Sequence, residues 1–170
     1  NCVANGKLFK EKIFENIWIQ PASGDAGGAI GAALGAYYLH AKKERKSTSN
    51  LDAMQGSYLG PKYSQNEIEA RLSSIGAVYE TVSDQQLINQ VAHALDQGNA
   101  IGWHQGRMEF GPRALGGRSI LADPRSELIQ RQLNLKVKYR ESFRPFAPSV
   151  LREDISKWFD MDADSPYMLL

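Results

Sequence analysis

Cysteine and histidine are scarce in this chain, and their scarcity excludes several kinds of protein. Cys2 is the single cysteine, so no disulfide can form within the chain, which favours a reducing compartment and predicts a cytoplasmic protein. There are three histidines, and neither a Cys-x-x-Cys nor a His-Glu-x-x-His motif occurs. These absences argue against a self-contained zinc site.

Long apolar runs are also missing. The most apolar run, residues 26–41, has only 16 residues and is rich in glycine and alanine, whereas a membrane helix needs about 20 apolar residues. We therefore expect a closely packed helix there and no membrane contact. No signal peptide is visible. The chain starts without methionine and ends in the apolar sequence PYMLL, so we expect it to be a piece of a longer protein.

The net charge is only +1, which argues against a nucleic-acid partner because such proteins usually carry a clear basic excess. The positive charge is nevertheless concentrated. Residues 104–144 hold nine basic and four acidic residues, a balance of +5, while the other 129 residues sum to −4. Several of the cations are arginines, whose planar fork pairs with phosphate or carboxylate through two parallel hydrogen bonds. The pattern predicts an anion-binding region.

The order of predicted elements indicates an α/β fold. Helices are predicted at residues 3–14, 26–41, 68–75, 84–97, 124–135 and 152–159. Strands are predicted at residues 16–20, 77–82, 100–104 and 146–151. Residues 47–63, rich in Ser, Asn, Gly and Pro, are predicted to be a linker.

Local signals fix several helix ends. Ser64 and Ser83 each precede a Glu or Gln by three residues, which is the spacing of a capping box. Gly76 and Gly98 are expected to end the two helices. Pro124 is expected at the first position of a later helix.

Residues 24–28, GDAGG, lie where a predicted strand turns into a predicted helix. Glycines there would let a ligand approach the backbone, and a helix N-terminus offers free N–H groups to a phosphate. Asp25 could bind a divalent metal or simply cap the helix, with Ser23 as the other candidate cap. The residues leave both a structural role and a nucleotide or metal contact open.

Residues 104–125, HQGRMEFGPRALGGRSILADPR, alternate glycine with arginine. A solvated basic surface is the plain alternative, but glycines and Pro112 would shape the backbone around the cations. We therefore expect anion binding here. Glu109 is expected to orient an arginine through a salt bridge, with binding of a substrate amine as the alternative. His104 is expected to be a strand residue rather than an acid–base group.

Lys138, Arg140 and Arg144 form a second basic group. On a strand, Lys138 and Arg140 would point to the same face. Two neighbouring cations repel each other, and a phosphate that bridges them would offset this cost. A solvated sheet edge is the alternative.

Four segments in this order resemble blocks of the NodU/CmcH-type carbamoyltransferases, which carbamoylate nodulation factors, antibiotics and other natural products. The segments are IQPASGDAGGAIGAAL, YLGPKYSQNEI, GWHQGRMEFGPRALGGRSILADPR and NLKVKYRESFRPFAPSVL. The resemblance implies an actin-like ATPase-fold domain followed by a YrdC-like mixed α/β domain. Residues 1–46 would be a strand–helix remnant of the first domain, residues 47–63 the linker, and residues 64–170 the incomplete front of the second.

The resemblance also implies the chemistry. Carbamoyl phosphate and ATP give carbamoyl-adenylate in the YrdC-like part, and the carbamoyl group then passes to a hydroxyl of a small-molecule acceptor. Mg²⁺ would accompany ATP, and a divalent metal, often iron (Fe²⁺), would sit in the first domain. The family's histidine-rich metal motif would lie upstream of these residues, and the Ser-x-Asn element that completes a YrdC-like site would lie downstream. We therefore expect this piece alone to lack a complete active site.

Roles carry over to matching positions only. Asp25 is implied to be a metal ligand, with nucleotide-facing glycines at Gly24, Gly27 and Gly28. Lys138 and Arg140 match the Lys-x-Arg pair that holds phosphates in YrdC-like folds. Four arginines fall in the blocks around carbamoyl phosphate and ATP: Arg107, Arg113, Arg118 and Arg144.

Two other functions remain open at this point. One is a YrdC-like component of tRNA threonylcarbamoylation or hydrogenase maturation, which uses the same adenylate chemistry. The other is a nucleotide-binding module without catalysis. The LGPKYS and EFGPRALG blocks favour the carbamoyltransferase. Neither the acceptor nor the oligomeric state can be predicted from these residues.

Overall fold

The computed structural model describes residues 1–46 and 52–170, which form two compact units. The first unit comprises Asn1–Pro61, Arg107–Gly117 and Ala163–Leu170, and the second comprises Lys62–Gly106 and Arg118–Asp162. Residues 47–51 of the predicted linker lie outside the described residues. The arginine-rich segment is thus divided, because Arg107–Gly117 belongs with the N-terminal part of the chain.

The first unit contains helices α1 (Cys2–Lys10) and α2 (Asp25–Gly35), and α2 continues into a π-helical turn at Ala36–His40. Its small core is formed by Met54, Tyr167 and Leu169. Four partly buried apolar side chains pack against this core: Ile19, Ile30, Phe110 and Leu115. The predicted helices at 3–14 and 26–41 are confirmed, although both end earlier than expected.

The start of α2 differs from the prediction. Gly24 is the N-cap, neither Ser23 nor Asp25 caps the helix with its side chain, and Asp25 is the first helical residue. The Gly24 N–H donates to the carbonyl of Ala22 at 2.8 Å, which closes a tight turn after Pro21. The predicted strand at residues 16–20 is wrong, because these residues are not in a strand.

The second unit contains helices α3 (Gln65–Ser74) and α4 (Asp84–Asp96) and strands β1 (Ile101–His104) and β2 (Arg118–Leu121). The strands pair antiparallel, with Ile101 opposite Leu121 and His104 opposite Arg118. Helix α5 (Ile129–Gln132) continues into a π-helical turn at Leu133–Val137, and a 3₁₀ turn at Arg152–Asp154 leads into α6 (Ile155–Trp158). Helices with a small sheet confirm the α/β class.

Both predicted capping boxes are present. The Ser64 hydroxyl accepts from the Glu67 amide, and the Glu67 carboxylate accepts from the Ser64 amide at 2.8 Å. These bonds lower the pKa of the Glu67 carboxyl. Ser83 and Gln86 make the same reciprocal pair at the start of α4. The helix-ending glycines are also confirmed, with φ of 66° at Gly76 and 76° at Gly98.

Three other predictions in this unit are wrong. Residues 77–82 and 146–151 are not in strands, since an extended segment becomes a strand only when a neighbour pairs with its backbone. No helix starts at Pro124. Instead the Asp123 carboxylate accepts from the Arg125 amide at 2.9 Å, which holds a turn, and α5 begins only at Ile129.

Within residues 1–46 and 52–170, no helix has the length and apolar character needed to cross a membrane.

Candidate functional site

The predicted Lys-x-Arg pair lies on a turn rather than on a strand. The Lys138 amide donates to the Leu133 carbonyl at 2.9 Å, which closes the π-helical turn, and Tyr139 then adopts a positive φ of 49°. The prediction that a strand aligns Lys138 and Arg140 on one face is therefore wrong. Residues 138–146, here named the cation loop, instead fold back toward the π-helical turn, where Asn134 bonds to them.

Asn134 organises the cation loop. Its side chain is fully buried, and its Oδ1 accepts from Arg140 Nε at 2.6 Å. Its Nδ2 donates to the carbonyls of Ser142 at 3.1 Å and Arg144 at 2.8 Å. Its own carbonyl accepts from the Arg140 amide at 2.9 Å. One uncharged residue thus fixes the loop at three positions.

Gln130 supports the same loop from α5. Its Nε2 donates to the carbonyls of Phe143 at 3.2 Å and Arg144 at 3.1 Å. The Arg144 carbonyl therefore accepts from the amides of both Gln130 and Asn134, so the backbone at Arg144 is anchored twice.

The charges of the cation loop are only partly compensated. The Arg144 Nε pairs with Glu141 Oε2 at 2.9 Å, and both side chains are about half exposed. The Arg140 guanidinium lies 4.9 Å from the centre of the Phe146 ring. This cation–π contact does not neutralise the positive charge of the guanidinium. Across the part of the chain that the structure describes, neither Lys138 nor Arg140 has an acidic partner within 4.0 Å. This arrangement suits an external anion.

Arg125 shows the contrasting case. Its guanidinium pairs with Asp123 at 2.6 Å and Asp96 at 2.8 Å. Hydrogen bonds from Arg125 lower the pKa of the Asp123 carboxyl. The charge of Arg125 is therefore balanced within its own unit.

In the first unit, Arg107–Gly117 forms a loop closed by a buried carboxylate. Glu109 is 5% exposed, and its Oε1 accepts from the backbone N–H groups of Leu115 at 3.1 Å and Gly117 at 2.7 Å. Gly111 and Gly116 have φ of 103° and 115°, which side-chain-bearing residues rarely adopt. Glu109 Oε1 thus holds the loop backbone, and the expected salt bridge from Glu109 to an arginine stays a prediction.

This loop is anchored to residues 57–61. The Phe110 amide donates to the Ser57 carbonyl at 2.6 Å, and the Gly60 amide donates to the Met108 carbonyl at 2.9 Å. Arg107 Nη1 also donates to the Gly60 carbonyl at 2.9 Å. Part of the Arg107 side chain thus has a structural role.

The same loop reaches the turn before α2. A Cβ on Gly111 would lie 3.2 Å from the Ala22 Cβ, so the EFGPRALG and ASGDAGG segments are in close contact within one unit. Nothing local in either segment indicates this contact.

The predicted glycines divide by their surroundings. A Cβ on Gly27 would lie 2.1 Å from the Ala22 carbonyl oxygen, so Gly27 is needed for packing. A Cβ on Gly24 or Gly28 would meet nothing within 4 Å, and the backbone at both positions is open to a ligand. Asp25 is exposed. Within the described residues, no cluster of three or more His, Cys, Asp or Glu side chains could hold a metal ion.

The predicted cations are distributed over both units. Arg107 and Arg113 lie in the first, together with the residues of the GDAGG segment. Arg118 lies on β2 in the second unit opposite His104, which is a strand residue as expected. The second unit also holds the three cations of the cation loop: Lys138, Arg140 and Arg144.

One cavity of about 280 Å³ lies beside α5 in the second unit. It contains none of the predicted site residues. Its lining consists of Leu128, Arg131, Gln132, Leu135 and Lys136.

Comparison with known proteins supplies the family. Residues 1–34 match the family model described as carbamoyltransferase N-terminus, and residues 92–170 match carbamoyltransferase C-terminus.

Three relatives illustrate the similarity. The chain is 59% identical over its whole length to the uncharacterized protein sll1178 of Synechocystis, covering 28% of that protein. It is 41% identical over 95% of its length to nodulation protein NolO of Bradyrhizobium diazoefficiens, covering 29%. It is 32% identical over 99% of its length to 3'-hydroxymethylcephem-O-carbamoyltransferase of Streptomyces clavuligerus, covering 30%. The chain spans less than a third of these relatives, and it belongs to the carbamoyltransferase family.

Proposed function

We propose that the protein containing this chain is an O-carbamoyltransferase that makes carbamoyl-adenylate from carbamoyl phosphate and ATP and transfers the carbamoyl group to a hydroxyl of a small-molecule acceptor. The observation that carries the proposal is the cation loop, where Lys138 and Arg140 lack acidic partners among the described residues while Asn134 fixes the Arg140 guanidinium. The names of two relatives support the carbamoyl group and the oxygen acceptor.

The cation loop supplies charge and position rather than a nucleophile. Carbamoyl phosphate and ATP bring several negative charges into one site, and fixed cations offset their mutual repulsion. The same cations stabilise the charge that develops on the departing phosphate and pyrophosphate. The reaction consumes one water molecule. When phosphate leaves carbamoyl phosphate, the carbamoyl carbon must keep two oxygens, one of which then bonds to the α-phosphorus of ATP, so the water supplies the oxygen that the released phosphate needs. We propose no covalent enzyme intermediate.

In the second unit, Arg118 and Arg144 complete the proposed set of phosphate-binding cations. Arg107 and Arg113 of the first unit stay proposed phosphate-binding residues on the strength of the family resemblance alone. The turn at Gly24 and Gly28 offers open backbone at a helix N-terminus, which suits a nucleotide phosphate. Mg²⁺ would neutralise part of the ATP charge.

The divalent metal that the family resemblance implies, Fe²⁺, fits this chain only in part. Asp25 offers one exposed carboxylate, and no cluster of metal-binding residues surrounds it in the described part of the chain. In this proposal Asp25 contributes one ligand, and the remaining ligands come from elsewhere in the longer protein. No step of the reaction is assigned to the metal.

The proposed domain division follows the same comparison. Residues 1–46 would be the tail of an actin-like ATPase-fold domain, and residues 64–170 the front of a YrdC-like domain. What supports this division is that the N-terminal and C-terminal family matches fall on either side of the proposed linker at 47–63.

Pyrophosphate release by the full-length protein tests the proposed function. ATP is supplied alone, with carbamoyl phosphate, or with threonine and bicarbonate. The proposal requires release only with carbamoyl phosphate. Release driven by threonine and bicarbonate would identify the tRNA-modifying reaction instead, and nucleotide binding without release under any condition would indicate a non-catalytic module.

A further inference from the structure

The side-chain amide of Asn134 is fully buried, and only one of its two orientations satisfies all its hydrogen bonds. Its oxygen accepts from the Arg140 Nε, which can only donate, and its nitrogen donates to two carbonyls, which can only accept. Exchanging the oxygen and nitrogen would oppose donor to donor and acceptor to acceptor. The hydrogen-bond network therefore requires the neutral amide of asparagine.

We propose that Asn134 is the positioning residue of the cation loop, acting through Arg140 on the binding of a phosphorylated ligand. This inference rests on the proposed function for the identity of that ligand. Asn134 touches no ligand itself. It holds Arg140 by both its side chain and its backbone and fixes the carbonyl at Arg144, so that the loop presents its cations in one conformation.

The physical benefit is a lower entropic cost of binding. An arginine side chain has several rotatable bonds, and ordering it when a ligand binds reduces affinity. The bond from Nε to Asn134 and the stacking on Phe146 restrict the Arg140 guanidinium before any ligand arrives. The two terminal nitrogens are not bonded within the described chain, which leaves their N–H groups for an anion.

The π-helical turn places Asn134 in this position. Leu133 and Asn134 are consecutive and both buried, a pattern that the wider π turn accommodates beside the short helix α5. π turns inside helices often occur at functional sites. Leu133 is buried, and the buried side chain of Asn134 bonds to the cation loop.

Two substitutions separate the functions of the amide. Asn134→Ala removes all its side-chain bonds. Asn134→Asp keeps an acceptor for Arg140 Nε and nearly the same shape, but it cannot donate to the carbonyls of Ser142 and Arg144 and it places a negative charge beside Arg140. Both variants should bind inorganic pyrophosphate at least tenfold more weakly than the wild-type full-length protein, measured by calorimetry.

A double-mutant cycle with Arg140→Ala distinguishes positioning from general damage. If Asn134 acts through Arg140, the factor by which Asn134→Asp weakens pyrophosphate binding should be several-fold smaller once Arg140 is alanine. The proposal would be overturned if the losses of affinity caused by Asn134→Asp and Arg140→Ala simply multiply in the double variant. It would also be overturned if both Asn134 variants bind pyrophosphate as tightly as the wild type, or if the wild-type protein does not bind pyrophosphate. Gln130→Ala removes the outer anchor only and should weaken binding less than threefold.

The outcome is separable from that of the proposed function. Pyrophosphate binding does not require turnover, so a cycle that behaves as expected without carbamoyl phosphate-dependent pyrophosphate release would retain the positioning role and reject the carbamoyl reaction. In an active protein, Asn134→Asp should raise the KM for ATP more than it lowers kcat. A fall in kcat alone would contradict positioning of a binding cation.

Discussion

The carbonyl oxygen of Ala22 lies 2.1 Å from the place that a Cβ on residue 27 would occupy, so only glycine fits there. One residue further along α2, a Cβ on Gly28 would meet nothing within 4 Å. Two adjacent glycines that look alike in the sequence therefore have different roles. Gly27 lets the helix pack on the preceding turn, while Gly28 leaves its backbone open.

Gly27→Ala and Gly28→Ala form a matched pair. Gly27→Ala should destabilise the start of α2 by about 1–3 kcal/mol because the new methyl overpacks against the backbone of Ala22. Gly28→Ala should keep or increase local stability, by up to about 1 kcal/mol from helix propensity. Hydrogen exchange of the α2 amides in the full-length protein measures both. Faster exchange in Gly28→Ala but not in Gly27→Ala would contradict the role of Gly27 in packing and the open surroundings of Gly28.

Gly28→Ala also tests the proposed nucleotide contact. If a phosphate approaches the open backbone at residue 28, the added methyl should weaken ATP binding about tenfold, equal to about 1.4 kcal/mol, without loss of structure. Unchanged ATP affinity in a stable variant would remove Gly28 from the site.

Glu109→Ala should loosen the loop Arg107–Gly117. The substitution leaves the N–H groups of Leu115 and Gly117 without the carboxylate that they now donate to, at a cost of about 1–3 kcal/mol. Glu109→Gln retains an acceptor and should cost less. Hydrogen exchange at these two amides is the measurement, with the exposed Glu127→Ala as control. Equal exchange in Glu109→Ala and the wild type would show that the carboxylate does not hold the loop.

Arg140→Ala should weaken anion binding more than Arg125→Ala. Arg140 lacks an acidic partner in the described chain, whereas Asp123 and Asp96 already balance Arg125. We expect a loss of about 1.5–3 kcal/mol in pyrophosphate binding for Arg140→Ala and little change for Arg125→Ala. Similar small effects for both would place Arg140 on a solvated surface.

Tyr167 predicts a pH dependence of stability in the first unit. Its hydroxyl donates to Asp52 and accepts from the Gly56 amide at 3.0 Å, and burial followed by the bond to Asp52 raises its pKa. Because the folded pKa lies above the unfolded value of about 10, the stabilisation is complete below that pH and is lost as the pH rises through the folded pKa.

Tyr167→Phe should therefore cost about 1–2 kcal/mol at neutral pH, and the cost should shrink in alkaline solution. Denaturant unfolding at pH 8 and at about pH 11 gives the free energy of unfolding of the wild type and the variant. Their difference at each pH is compared, because the titration of all other groups is common to both proteins and cancels. A cost that is independent of pH would show that the hydroxyl does not titrate as described.

Sequence reasoning succeeded where the structure depends on near neighbours. The capping boxes at Ser64 and Ser83, and the helix-ending glycines after them, involve residues only three or four positions apart. The α/β class and the strand ending at His104 were also predictable. The capping boxes and glycines need no knowledge of distant parts of the chain, whereas the strand ending at His104 also depends on its pairing with Arg118–Leu121.

It failed where the outcome depends on distant partners. Residues 77–82 have the composition of a strand but no strand beside them, and β2 was missed because Arg118 was read only as part of a charged loop. Asn134 was missed because it is neutral and lies between two leucines, so no charge or motif marked it. Its importance appears only when the cation loop folds back on it.

The most direct test of the proposed reaction follows the carbamoyl carbon. The full-length protein is mixed with ATP and carbon-14-labelled carbamoyl phosphate without acceptor, quenched rapidly, and its nucleotides are separated. We predict label in an adenylate, in amounts reduced by Arg140→Ala and unchanged by Arg125→Ala. Label that never joins AMP, while the protein is folded and binds ATP, would contradict the carbamoyl-adenylate reaction.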